Sequence, residues 1–116
     1  MQTTIAIMKF VSRLRRPPRP MYERLKPERI QEELKTLLGW SLLSSGKAIQ
    51  RVLRFKSETS AVHYAAFISA QATDAGQPVH LTLEEKTLTV KLFAPPRNGR
   101  ATALDMGVLA FARQLN

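Results

Sequence analysis

Residues 48–56 read AIQRVLRFK, and the alternation within that run decides the fold. Ile49, Arg51, Leu53 and Phe55 fall on one side of an extended chain, and Gln50, Val52, Arg54 and Lys56 fall on the other. The first side is mostly apolar and needs a cover. The second carries charge and tolerates water, as in an antiparallel sheet with one open face. The residues that follow supply the cover. Ser57 or Thr59 can cap a helix running to about residue 73. Ala61, Ala65, Ile68 and Ala72 recur there at helical spacing, with Tyr64 and Phe67 beside them.

The same reading extends in both directions. Downstream, Gly76 and Pro78 mark a turn, and residues 79–83 and 87–93 form two strands joined at Glu84-Glu85-Lys86. Leu81, Leu83, Leu88, Val90 and Leu92 alternate inward along them. Pro95-Pro96 ends the second of these strands, and Arg97-Asn98-Gly99-Arg100 is a polar loop. Thr102 and Asp105 read as the Asp version of a capping box for a last helix, with Leu104, Val108, Phe111 and Leu115 as its stripe and Leu109 beside it. Upstream, Pro27 suits the first position of a helix, where its missing donor costs nothing. Ile30, Leu34, Leu37 and Leu38 give that helix an apolar stripe, and Gly39 stops it. Trp40 opens a first strand that turns at Ser44-Ser45-Gly46. The order α-β-β-α-β-β-α implies a two-layer α+β sandwich, a four-stranded antiparallel sheet with three helices on one face.

Length and charge set further bounds. At 116 residues the chain suits one domain with a modest core, and its 44% hydrophobic content is that of a globular protein. It has no cysteine, which excludes disulfides and thiolate metal sites and suits a cytoplasmic location. No apolar run approaches the roughly 20 residues of a membrane span. The net charge is +9. Residues 1–30 hold eight Lys/Arg against Glu23 and Glu28, so 8 − 2 gives +6, and residues 31–116 supply the remaining +3. We therefore divide the chain into a flexible basic arm, 1–25, and a folded domain, 26–116. In the arm IAIMKFVSRL (5–14) can form a short amphipathic helix, while RLRRPPRP (13–20) must be extended because of its prolines. Acid-free, Arg-rich starts also occur in transit peptides, but Thr3, Thr4 and Ser12 are few hydroxyls for one. Removing such an arm should leave thermal stability nearly unchanged.

Several short motifs together resemble the pterin-4a-carbinolamine dehydratase family. They are Gly39-Trp40, the run 48–56, Ala61 and Tyr64 on the helix, Gly76-Gln77-Pro78, and Thr102 with Asp105. The resemblance covers about residues 26–116 and implies the same fold, together with homodimers whose sheets join at an edge into a saddle. It also implies a site built on His-His-Pro and Thr-His. Here Gly76 and Gln77 stand at the paired histidines, and Ala94-Pro95 at Thr-His. Loss of water from a carbinolamine needs groups that titrate near neutral pH. Gly76, Gln77 and Pro95 cannot move a proton, so no catalytic residue, cofactor or metal is expected. His63 and His80 are the remaining histidines, and each reads as an ordinary polar surface residue.

A scaffold without its chemistry points to binding. The open sheet face should show Val52, Arg54, Lys56, Thr89, Lys91 and Phe93, with Arg97 and Arg100 at one end. Arg54, Lys56, Lys91, Phe93, Arg97 and Arg100 are therefore the candidate partner-binding residues, by the enrichment of Arg and aromatics in docking surfaces. A basic, histidine-poor member is similar to the RuBisCO assembly factors encoded with alpha-carboxysome genes. That similarity implies a non-enzymatic chaperone, carboxysome-associated, whose partner is the RuBisCO large subunit. A dimerisation cofactor of a DNA-binding protein, acting through the second helix at Val62 or Phe67, is the alternative. Direct nucleic-acid binding through saddle and arm ranks third, because Phe93 is its one clear stacking residue.

Overall fold

The computed structural model describes residues 5–9 and 19–116; for residues 5–9 the account is limited to the backbone. The elements are β1 (Ile5–Lys9), α1 (Pro27–Leu34), β2 (Ser41–Leu42), β3 (Ala48–Arg54), α2 (Glu58–Ala75), β4 (Val79–Glu84), β5 (Thr87–Phe93) and α3 (Met106–Leu115). The three helices and four antiparallel strands expected from the sequence are all present in the expected order. A fifth strand, β1, adds to them, giving the sheet order β1-β4-β5-β3-β2.

β1 corrects the expectation of a helix over 5–14. Ile5 to Lys9 pairs antiparallel with β4, from Ile5 opposite Glu84 to Lys9 opposite His80. The competing force is the ladder. Without β1, the outer edge of β4 would present unpaired backbone groups, and a strand rich in β-branched residues satisfies them. The proline-rich residues 13–18 of the arm lie outside the described residues.

The alternation read at 48–56 holds. β3 pairs with β5 from Ala48 opposite Phe93 to Arg54 opposite Thr87, and β5 pairs with β4 from Leu92 opposite Val79 to Thr87 opposite Glu84. Ile49, Leu81, Leu88, Val90 and Leu92 are buried under α2 and α3, where they meet Ala61, Ala65, Ile68, Ala72, Leu104, Val108 and Leu109. Small residues along α2 let it lie close on the sheet. At roughly 25 cal/mol per Å² of apolar surface removed from water, this face is the main source of stability.

Helix ends show where local signals won and lost. Ser57 caps α2, accepting from the Ser60 N–H at 3.1 Å. At the other end Gly76 lies at φ 63, its N–H meets the Thr73 carbonyl at 3.2 Å and the Gln77 N–H meets the Ala72 carbonyl at 2.8 Å, a Schellman closure. Asp105, not Thr102, caps α3: its carboxylate accepts the Val108 N–H, while the Thr102 hydroxyl donates to the Pro95 carbonyl at 3.3 Å. α1 ends at Leu34, short of Gly39, and the chain turns through 35–39. Leu37 is buried by that turn, but Leu38 is 80% exposed, so it leaves the stripe assigned to it. Gly39 sits at φ 90, a conformation that a side chain would strain, and an added Cβ would lie only 3.1 Å from the Arg51 Nε. Trp40 is buried and donates to the Asn116 Oδ1 at 2.9 Å, which also accepts from Arg51 at 2.6 Å. Gly39-Trp40 is thus scaffold.

Candidate functional site

The three positions that the resemblance marks as catalytic converge at one end of the sheet, and an arm residue reaches them. Gln77 is 5% exposed. Its side-chain nitrogen donates to the Pro78 and Phe93 carbonyls, both at 2.8 Å, and its oxygen accepts from Arg19 at 3.2 Å. Every polar atom of the amide is therefore engaged. Gly76 is committed to closing α2, and Pro95 is half-buried, with its carbonyl held by Thr102.

Arg19 is the residue that the sequence did not single out. Its guanidinium forms two bonds to the Asp105 carboxylate, at 2.8 and 2.9 Å, and one to Gln77, while its plane lies 4.9 Å from the centre of the Tyr22 ring. The geometry is the bidentate fork that arginine offers a carboxylate. A Leu25 N–H bond to the Leu104 carbonyl at 2.8 Å and a backbone bridge from Arg24 to Asp105 hold residues 24–25 alongside the entry to α3. The surface of α3 accommodates this: a Cβ on Gly107 would stand 2.4 Å from the Tyr22 ring and 2.6 Å from Arg19. The arm expected to be free up to residue 25 is therefore docked from Arg19 onward. The reason is electrostatic, since Asp105 is a nearly buried carboxylate and needs a cation.

Beside this latch lies a cavity of about 240 Å³ lined by Arg19, Met21, Tyr22, Arg24, Pro95, Pro96, Arg97 and Asp105, among others. Gly76, Gln77 and Pro95, the positions that the resemblance sets against histidines, carry no ionisable side chain. Among the described residues, no three His, Cys, Asp or Glu gather as metal ligands. His63 is exposed on α2. His80 is half-buried rather than fully at the surface; it lies between Lys91 and Lys9 in the strand register, and its Nε2 is enclosed without a hydrogen-bond partner among the described residues.

The open sheet face holds the other candidates, but not as one cluster. Lys91 lies in a row with Gln50 and His80, and Phe93 is opposite Ala48. Arg54 is opposite Thr87, four residues from Lys91 along β5, or about 13 Å at strand rise. Lys56 lies just beyond β3, and both Arg54 and Lys56 are exposed. Val52, 43% exposed, and Thr89 fill the middle. Lys91 and Phe93 also line a shallow cavity of about 260 Å³ with Lys47, Ala48 and Gly99. Arg97 and Arg100 flank a two-residue turn, bonded to each other at 3.0 and 2.9 Å, with Asn98 and Gly99 at φ 52 and 73. What the sequence read as a polar loop is an Asn-Gly hairpin turn.

The sequence profile of the pterin 4 alpha carbinolamine dehydratase family matches residues 23–115. The chain belongs to that family. Among solved structures, the fold is similar to that of a transcriptional coactivator/pterin dehydratase from Brucella Melitensis, with a TM-score of 0.67 and 21% identity over 81% of this chain and 96% of that one. At that identity the likeness speaks for the fold. No curated protein sequence matches. Among the described residues no helix is long and apolar enough to cross a membrane.

Proposed function

We propose that this family member is non-catalytic and works by binding a protein partner, as an assembly factor for the RuBisCO large subunit, dimeric and carboxysome-associated. One observation supports the non-catalytic reading: where the resemblance places the family's proton-moving histidines, this chain has Gly76, Gln77 and Pro95, and the Gln77 amide is bonded to Arg19. A site that must bind and release a pterin is poorly served by an internal ion pair beside it. The choice of partner rests on the resemblance to alpha-carboxysome assembly factors read in the sequence and on the +9 charge. The open face with Arg54, Lys56, Lys91 and Phe93, and the turn with Arg97 and Arg100, is the surface offered to acidic regions of the large subunit. Exposed charge pairs contribute roughly 0–1 kcal/mol each, so several must act together with apolar anchors such as Val52 and Phe93.

The test is co-expression. Wild type should raise the yield of assembled RuBisCO and show no carbinolamine dehydratase turnover. The triple variant Arg54→Glu, Lys56→Glu, Lys91→Glu should lose RuBisCO capture yet stay folded. Equal yields with and without the protein defeat the partner assignment, and measurable turnover defeats the non-catalytic one.

A second reading has its own support. The outward face of α2 exposes Val62, Ala66, Phe67 and Ala70, with Phe67 50% exposed, and carries no Asp, Glu, Lys or Arg between Glu58 and Asp74. That face suits helix-on-helix docking, as in a dimerisation cofactor of a DNA-binding protein, and the Brucella protein is called a transcriptional coactivator. Under this reading Phe67→Glu abolishes partner binding while the triple charge reversal leaves it intact.

A further inference from the structure

We propose that the cavity between Tyr22, Arg24, Pro95 and Arg97 is a carboxylate-accepting slot for an acidic side chain of a partner polypeptide. Three arginines line it against one acid, so 3 − 1 leaves +2. The acid, Asp105, is consumed by Arg19. That leaves Arg24 and Arg97 with no side-chain acceptor among the described residues, and the Arg24 Nε is enclosed with nothing to donate to. An arginine that lines a cavity with no side-chain acceptor offers a charge-assisted hydrogen bond to an anion entering that space, and such bonds are the strong ones.

Size and walls select the ligand. At about 240 Å³ the cavity is smaller than the roughly 300–1,000 Å³ typical of cofactor sites, and it suits a single side chain. Its rim is apolar: Met21 is 88% exposed and Tyr22 37%, with Pro96 opposite. A free phosphate would leave that rim unused, and its second charge would face the Asp105 carboxylate that also lines the space. A singly charged Glu or Asp flanked by apolar residues meets both the arginines and the rim. The slot shares Arg97 with the proposed docking surface but none of the charged residues of β3 and β5, so the triple charge reversal there separates the two assignments.

The experiment titrates the isotope-labelled full chain and follows the Nε–Hε signals of Arg24 and Arg97. The probes are acetyl-Leu-Glu-Phe-amide, acetyl-Leu-Gln-Phe-amide and inorganic phosphate. The Glu peptide should shift the Arg24 signal saturably, with the Gln peptide and phosphate each at least about tenfold weaker. Arg24→Gln and Arg97→Gln should each weaken the Glu peptide roughly tenfold, as expected for losing a hydrogen bond to a charged group. If Arg24→Gln fails to fold, the exposed Arg97→Gln carries the test. The triple charge reversal on β3 and β5 should leave peptide affinity unchanged. Equal binding of Glu and Gln peptides, phosphate binding as tightly as the Glu peptide, or no saturable shift with any probe overturns the proposal.

Discussion

Replacing Arg19 by Met keeps an unbranched, flexible apolar stem and removes the guanidinium, which isolates the contact between the arm and the domain. In the folded protein the Arg19 and Asp105 side chains are 11% and 3% exposed. Taking one partner from a buried pair commonly costs about 3–5 kcal/mol, because the remaining charge has no compensation. Two features reduce that here. The Val108 N–H still donates to Asp105 at 3.1 Å, and residues 19–22 can lift away and admit water. We expect a loss of about 2 kcal/mol, which for a domain of this size lowers Tm by about 10 °C. Urea unfolding at two salt concentrations is the assay, and the loss should change little with salt since buried pairs are weakly screened. Adding Asp105→Asn to Arg19→Met should recover more than half of it by removing the orphaned charge. By the same argument, deleting residues 1–25 should cost at least as much as Arg19→Met, contrary to the expectation of a stability-neutral arm. A loss under about 0.5 kcal/mol, the level of an ordinary surface change, would refute the reasoning.

Gly107→Ala pits helix propensity, worth about 1 kcal/mol in favour of Ala, against a Cβ placed on Tyr22 and Arg19. It should expose the Tyr22 ring, read by quenching of its fluorescence in a Trp40→Phe background, and unchanged quenching refutes the packing. Gly76→Ala forces a Cβ into the left-handed region at φ 63 and should cost about 1 kcal/mol in urea unfolding; a neutral result means the Schellman turn can rearrange. Glu33 is held below the usual carboxylate range, first by its hydrogen bond from Arg113 and then by that from Arg29. Its folded pKa is lower than its unfolded one, so its stabilisation is present above the ordinary Glu value near 4.3 and is lost as pH falls through the folded value. Between pH 5 and 3 the wild type should therefore lose more stability than Glu33→Gln, and parallel curves would remove Glu33 from the account.

The regular part of the fold was legible because it is local. A period of two at Ala48 to Lys56 fixes both faces of β3, and the spacing of Ala61, Ala65, Ile68 and Ala72 fixes the buried side of α2. Capping was half legible: Thr102 and Asp105 both carry cap chemistry, and only the fold, by giving Thr102 the Pro95 carbonyl, decides which one is used. The Asn98-Gly99 pair is a strong hairpin signal, and it lies in the stretch that polarity alone marks as a loop. Arg19 was not legible from pattern, since its partners lie 58 and 86 residues away. One clue existed. Asp105 is the sole acid after Glu85, and a lone acid at the mouth of an apolar helix demands a cation from elsewhere. β1 was hidden for a different reason: five residues rich in Ile and Met fit strand and helix equally, and the choice belongs to the edge they meet.

Because β1 occupies the outer edge of β4, a second copy that seeks to extend the sheet there meets a competitor on the same chain. That competitor belongs to the same chain, and a covalently joined segment acts at an effective concentration of order millimolar. Intermolecular pairing at β4 therefore has to outbid a local rival, whereas β2, two residues long, is the edge left open at the other side. The N-terminal strand thus sets a concentration threshold for one mode of self-association, and shortening the chain before residue 10 would lower it.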